Sequence, residues 1–135
     1  MKKIVIGSDK SGFPLKEAVK AHLVELGYEV EDCGTQDMEH GQPYYMVAPV
    51  VAEKISRKEY EKGLLICGPG MGMAIVANKY PGVYAAVCEN TYAAEKCRAI
   101  NDANILTMGG WITADFAGCA IVDKFLNTAF TENLE

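Results

Sequence analysis

Short β-rich runs alternate with helix-period runs along the whole of this sequence, and that alternation restricts the possible folds more than any other feature. "KIVIGS" (3–8) reads as a strand. "PLKEAVKAHLVELG" (14–27) follows with apolar residues at 15, 19, 23 and 26 and a closing Gly27, the pattern of an amphipathic helix with a glycine cap. The unit then recurs. "YEVEDC" (28–33) precedes "YYMVAPVVAEKIS" (44–56), a helix despite Pro49, and "KGLLIC" (62–67) precedes a helix over 71–79. "GVYAAVC" (82–88) leads to "TYAAEKCRAIN" (91–101), and "NILTMG" (104–109) to "DFAGCAIVDKFLN" (115–127). The third strand is apolar enough to be buried on both faces. Five βα units in a row predict a five-stranded parallel sheet with helices on both faces, because each right-handed crossover returns the chain parallel.

With 135 residues, half of them hydrophobic, the chain suits a single domain spanning 1–135. Its net charge of −5 is scattered in both signs, without a basic stripe, which argues against nucleic-acid binding. The opening apolar run stops at Gly7, too soon for a signal-peptide core, and no apolar segment is long enough to span a bilayer. Five cysteines (33, 67, 88, 97, 119), odd in number and without a C-x-x-C pair, suit free thiols in a reducing cytosol. Neither a disulfide nor a structural zinc is expected, and the ending "TENLE" reads as a simple polar terminus.

In a parallel sheet of this kind ligands bind at the carboxyl ends of the strands, which directs attention to the five strand-to-helix turns. "CGPGMG" (67–72) places successive backbone N–H groups at a helix start, suited to a phosphate, a carboxylate or a developing oxyanion. The G-x-G-x-x-G pattern beginning at Gly68 meets Met73 in place of its third glycine, so a dinucleotide is not expected even though Glu89 lies near the spacing of a ribose-binding acid. Cys67 ends its strand facing the same field, where a thiol is drawn toward its reactive thiolate. Cys33, Cys88, Cys97 and Cys119 read as small buried hydrophobes. Asp9 and Lys10 in "GSDKSG" can orient hydroxyls and a charged substrate group, or be a solvated pair. His22, within the first helix, reads as a surface or half-buried histidine, and His40, on a long turn, as equally bland. Trp111 is either a sugar-stacking face or a packing residue. No H-x-x-x-H or clustered acidic pair suggests a metal.

Taken together, the turns resemble the ribose-5-phosphate isomerase type B and galactose-6-phosphate isomerase family along nearly the whole chain. The resemblance rests on "GSDKSGFPLK", "LICGPGMGMAIVANKYPGV" and "NDANILTMG". It implies a Rossmann-like three-layer α/β/α sandwich. It also implies a metal- and cofactor-independent, cytoplasmic aldose–ketose isomerase, a dimer or dimer of dimers with sites between subunits. By the same resemblance Cys67 moves a proton between C1 and C2, the amides of Gly68, Gly70, Met71 and Gly72 stabilise an enediolate, Asp9 holds sugar hydroxyls, and Asn101 reaches in from a partner subunit.

The departures from the family pattern point to a changed substrate. Lys10 stands where the family usually has a phosphate-contacting His, Pro69 where it has a Thr, Ile100 where many members have a ring-opening His, and Trp111 where an Arg is common. The arginine-bearing tail is not matched. Ribose 5-phosphate is therefore expected to be a poor substrate, and an open-chain tetrose derivative, or a sugar with a single negative charge or none, a better one. His40, Gln42 and Tyr44 are candidates for compensating contacts. The alternative is an inactive sugar-binding homologue or partner subunit of a hetero-oligomeric isomerase, against which the retained Asp9, Cys67, glycines and Asn101 argue.

Overall fold

A computed structural model describes residues 2–131. Along them run β1 (Lys3–Ser8), α1 (Phe13–Glu25), β2 (Glu29–Asp32), α2 (Tyr44–Ser56), β3 (Gly63–Cys67), α3 (Met71–Ala77), β4 (Ala85–Val87), α4 (Thr91–Ala99), β5 (Ile105–Gly109) and α5 (Asp115–Asn127). The strands form one parallel sheet in the order β2-β1-β3-β5-β4.

That order dictates the layers. The steps β1 to β2 and β4 to β5 run one way across the sheet, and β2 to β3 and β3 to β4 the other. Right-handed crossovers therefore place α1 and α4 on one face and α2 and α3 on the opposite face. Helix α5 packs on α1 and α4 and completes the first layer. The result is a Rossmann-like α/β/α sandwich.

The period of two within each strand divides the core accordingly. Ile4, Ile6, Leu64, Ile66, Leu106 and Met108 point to the α1/α4/α5 side. Val5, Leu65, Cys67 and Ile105 point to the α2/α3 side, against Val47, Val51, Met73 and Ala77. Every residue of β3 and β5 is buried, as befits central strands covered on both faces.

Helix α1 carries Pro14 in its first turn, ends at Glu25 and is followed by Gly27, whose φ of +92° favours glycine. Its buried stripe is Leu15, Val19 and Leu23, as the spacing predicts, but Leu26 is exposed and Lys16 is buried instead. Lys16 is held between Asp32 at the end of β2 and Glu17, so an ion pair, not an apolar contact, closes that stretch of the layer. Strand β4 is shorter than the apolar run 82–88 suggests. The side-chain amides of Asn104 and Asn78 accept from Tyr84 N–H (2.9 Å) and Ala85 N–H (2.7 Å), which diverts those groups from a longer ladder. The terminal "TENLE" is described only at Thr131, whose N–H donates to the Ala99 carbonyl at 2.9 Å; 132–135 lie outside the described residues.

Candidate active site

The strand order reverses between β1 and β3, since the chain leaves β1 for β2 on one side and reaches β3 on the other. Asp9 follows the end of β1 and Cys67 ends β3, so the two residues singled out by chemistry flank this switch point. The Asp9 N–H donates to the Ile66 carbonyl at 3.3 Å, continuing the ladder past the formal strand end. Gly12 brings the β1–α1 turn against β3. A Cβ there would lie 2.3 Å from the Ile66 carbonyl oxygen and 2.9 Å from the Cys67 nitrogen, so only glycine fits.

Cys67 is 2 % exposed, and its Sγ accepts the Gly70 N–H at 3.2 Å. Gly70 has φ +86°, a left-handed conformation that turns the chain from β3 into α3 and aims this N–H back at the sulfur. The Gly70 amide thus addresses Cys67. Met71 and Gly72 lie in the first turn of α3, where backbone N–H groups have no intrahelical acceptor. Gly68 is buried, Met71 exposed, and Gly72 lies between these extremes.

Across the crevice the half-buried Asp9 carboxylate accepts the Gly12 N–H at 2.9 Å. Burial pushes its carboxyl above the ordinary carboxylate range, and hydrogen bonds from the amides of Gly12, Ser11 and Asp9 itself oppose the shift. Lys10 is exposed and has no ion-pair partner among the described residues. A Cβ on Gly41 would lie 2.8 Å from Lys10 Cβ, so the long β2–α2 turn packs against the lysine stem.

Two rings border the glycine turn. Trp111 covers Gly68, where a Cβ would come within 2.8 Å of the indole, and Tyr44 covers Gly72, where it would come within 2.7 Å of the phenol ring. The β5–α5 turn that carries Trp111 is itself pinned, with Gly110 N–H donating to the Cys67 carbonyl at 2.7 Å and Trp111 N–H to the Gly68 carbonyl at 3.0 Å. These neighbours follow from β5 lying beside β3, which sequence reading did not establish. The glycine doublet 109–110 was the available signal of close backbone approach.

Asn101 is the residue the chain does not bring to the others. It follows α4, which returns from the carboxyl edge of the sheet to the amino edge, and Asn104 just beyond it accepts the Gly63 N–H at 2.9 Å at the start of β3. The length of a strand, about 15 Å, therefore separates Asn101 from Cys67. Ile100 shares that edge.

The other candidates have separate explanations. His22 pairs with Asp123 at 2.7 Å, and His40 with Asp37 at 2.8 Å in the β2–α2 turn. Cys88 and Cys97 are buried with their sulfurs 3.8 Å apart, while Cys33 and Cys119 are only partly buried. Burial, with the neighbouring Glu31, pushes the Cys33 thiol up to about 11. Among the described residues no group of three or more His, Cys, Asp and Glu side chains is placed to hold a metal, and no helix is long and apolar enough to cross a membrane. A cavity of about 550 Å³ lies at the amino edge, lined by Lys2, Lys3, Tyr28 and Lys62 among others, and includes none of the candidate residues.

Comparison with known proteins gives this geometry a family. The model described as Ribose/Galactose Isomerase matches residues 4–135. The chain is 66 % identical over 133 residues to 4-deoxy-4-sulfo-D-erythrose isomerase of Clostridium sp. strain MSTE9, covering 98 % of this chain and 84 % of that protein. It is 42 % identical over 131 residues to ribose-5-phosphate isomerase B of Escherichia coli K12, covering 96 % and 87 %. The solved structure of Clostridium thermocellum ribose-5-phosphate isomerase B superposes with a TM-score of 0.93 at 42 % identity, covering 97 % of this chain and 88 % of that one. The chain belongs to the ribose/galactose isomerase family and is a sugar isomerase built on its fold.

Proposed function

We propose that the protein interconverts an aldose and a ketose of four carbons that bears a single negative charge at C4, by proton transfer through Cys67. The observation that carries this is the buried Cys67 sulfur at the switch point, with the Gly70 N–H aimed at it and Asp9 across the crevice. The thiolate takes the proton from C2 of the aldose. The electron pair of that C–H bond forms the C1–C2 double bond, and the carbonyl pair moves onto O1 to give an enediolate. The thiol returns the proton to C1, the O2 proton is lost as the O1 oxygen gains one, and a ketone remains at C2. The amides of Gly68, Met71 and Gly72 face the developing oxyanion, and Gly70 supports the sulfur. Asp9, ionised, orients sugar hydroxyls.

Two features of the chain support this substrate class, the charge of its strand-to-helix turns and Ile100 in place of a histidine. In the five strand-to-helix turns Lys10 is the one lysine or arginine, and the His40 ring is hydrogen-bonded to Asp37. One free ammonium suits a monoanion. The sulfonated tetrose for which the Clostridium relative is named carries one such charge, and with no hydroxyl at C4 it cannot close a furanose. Such a sugar needs no group to open a ring, which accords with Ile100.

We infer that the chain acts as one domain, in a cytosolic homodimer. Supporting the dimer, Met46 and Val50 of α2 and Met71 and Ile75 of α3 are exposed at i, i+4 spacing on neighbouring helices, an apolar face suited to a second copy. A partner subunit is also what would bring an Asn101 to Cys67. The substrate reading is tested by comparing kcat/KM for 4-deoxy-4-sulfo-D-erythrose, erythrose 4-phosphate and ribose 5-phosphate on one preparation. The sulfonate is expected to be best. Ribose 5-phosphate turnover at about 10⁴ M⁻¹s⁻¹ or more, equal to the sulfonate, refutes the assigned specificity.

A further inference from the structure

We propose that Trp111 is a specificity-determining wall of the substrate site, its indole face lying along the carbon chain of a four-carbon sugar whose charge meets Lys10. The proposal rests on the isomerase reading above and adds a named contact to it. Trp111 is 74 % exposed, so core packing does not account for it. Yet its backbone is fixed, with Gly110 N–H and Trp111 N–H bonding the carbonyls of Cys67 and Gly68, and its ring lies over Gly68, which lacks the Cβ that would collide with Cε3 and Cζ3 at 2.8 Å. The exposed ring lies over the backbone that immediately follows Cys67.

Tyr44 covers the other end of the same turn at Gly72, and it is 38 % exposed. A substrate seated on amides 68–72 therefore meets an aromatic ring at each end. Ring faces accept the C–H faces of a sugar and offer nothing to a dianion. Lys10, its stem against Gly41 and free of ion pairs among the described residues, is the one lysine or arginine in these turns. Two apolar walls and one ammonium select a short chain with one charge. A longer sugar ending in a dianionic phosphate would require more positive charge at its far end.

Trp111 is the only tryptophan in the sequence, so its emission reports on this ring alone. The test titrates the protein with 4-deoxy-4-sulfo-erythritol, the reduced and non-isomerisable tetrose, reading tryptophan emission and calorimetric heat together. The expected result is a saturable emission change at the calorimetric Kd, with ribitol 5-phosphate binding at least tenfold more weakly. Trp111→Leu should raise KM for the sulfo-tetrose about tenfold, the order of one good aromatic contact, with kcat within about twofold. Calorimetric binding with silent emission, an unchanged KM in Trp111→Leu, or no binding of the tetritol overturns the proposal. If emission responds while the wild type isomerises no sugar, the wall stands and the isomerase reading fails. If the wild type turns over the sulfo-tetrose while the indole stays silent, the reverse holds.

Discussion

Asp9 is held half out of water beside Cys67, and the cost of that burial has consequences for both stability and activity. Its folded pKa is raised above the ordinary aspartate value, chiefly by desolvation, so the folded state binds its proton more tightly than the unfolded chain does. By linkage Asp9 detracts from stability as pH rises from the ordinary aspartate pKa through the raised folded one, and the penalty persists above it. Asp9→Asn, whose amide oxygen can still accept the Gly12 N–H, should therefore unfold at no lower urea concentration than wild type at pH 7, while kcat/KM falls about 10²-fold through lost substrate orientation. The wild-type pH–rate profile should show an acid limb above the ordinary carboxylate range that Asp9→Asn lacks. An unaltered acid limb in the variant would remove Asp9 from the reaction.

At the scale of elements, the most unusual stabilising feature is the Lys16–Asp32 pair that ties α1 to the end of β2, with side chains 1 % and 5 % exposed. Lys16→Met should destabilise the protein by about 3 kcal/mol in urea unfolding, because it leaves the Asp32 carboxylate buried with only the more distant Lys20. Lys16→Met combined with Asp32→Leu should recover most of that loss; failure to recover would mean that the pair is not the source. This pair also marks where sequence reading stopped. The limits of α2 and α5 and of β1 were legible because period and punctuation are local, and Cys67, Asp9 and the glycine turn were legible because a strand end announces them. Burial of Lys16 depends on a carboxylate from another strand, and the short β4 depends on side-chain amides of Asn78 and Asn104, neither of which periodicity encodes. The rings of Trp111 and Tyr44 over Gly68 and Gly72 needed the strand order, which alternation alone leaves open.

For the whole molecule, Asn101 lies a strand length from Cys67 in its own chain, so the proposed role of Asn101 requires a second subunit to deliver it. Cys67→Ser and Asn101→Ala subunits, each inactive alone, should regain activity when unfolded together and refolded, up to about a quarter of wild type, because half the random dimers are mixed and each has one intact site. No regain would confine the site to one chain. The central claim is that Cys67 carries the proton between C1 and C2 of an acyclic anionic tetrose. The most direct measurement follows 4-deoxy-4-sulfo-D-erythrose by proton NMR in D₂O with chelator present, using wild type and Cys67→Ser. Wild type should form the ketose and exchange deuterium into C1, whereas Cys67→Ser, folded by circular dichroism, should show neither conversion nor loss of the C2 proton, a fall of 10²-fold or more. Conversion by Cys67→Ser at the wild-type rate would contradict the account.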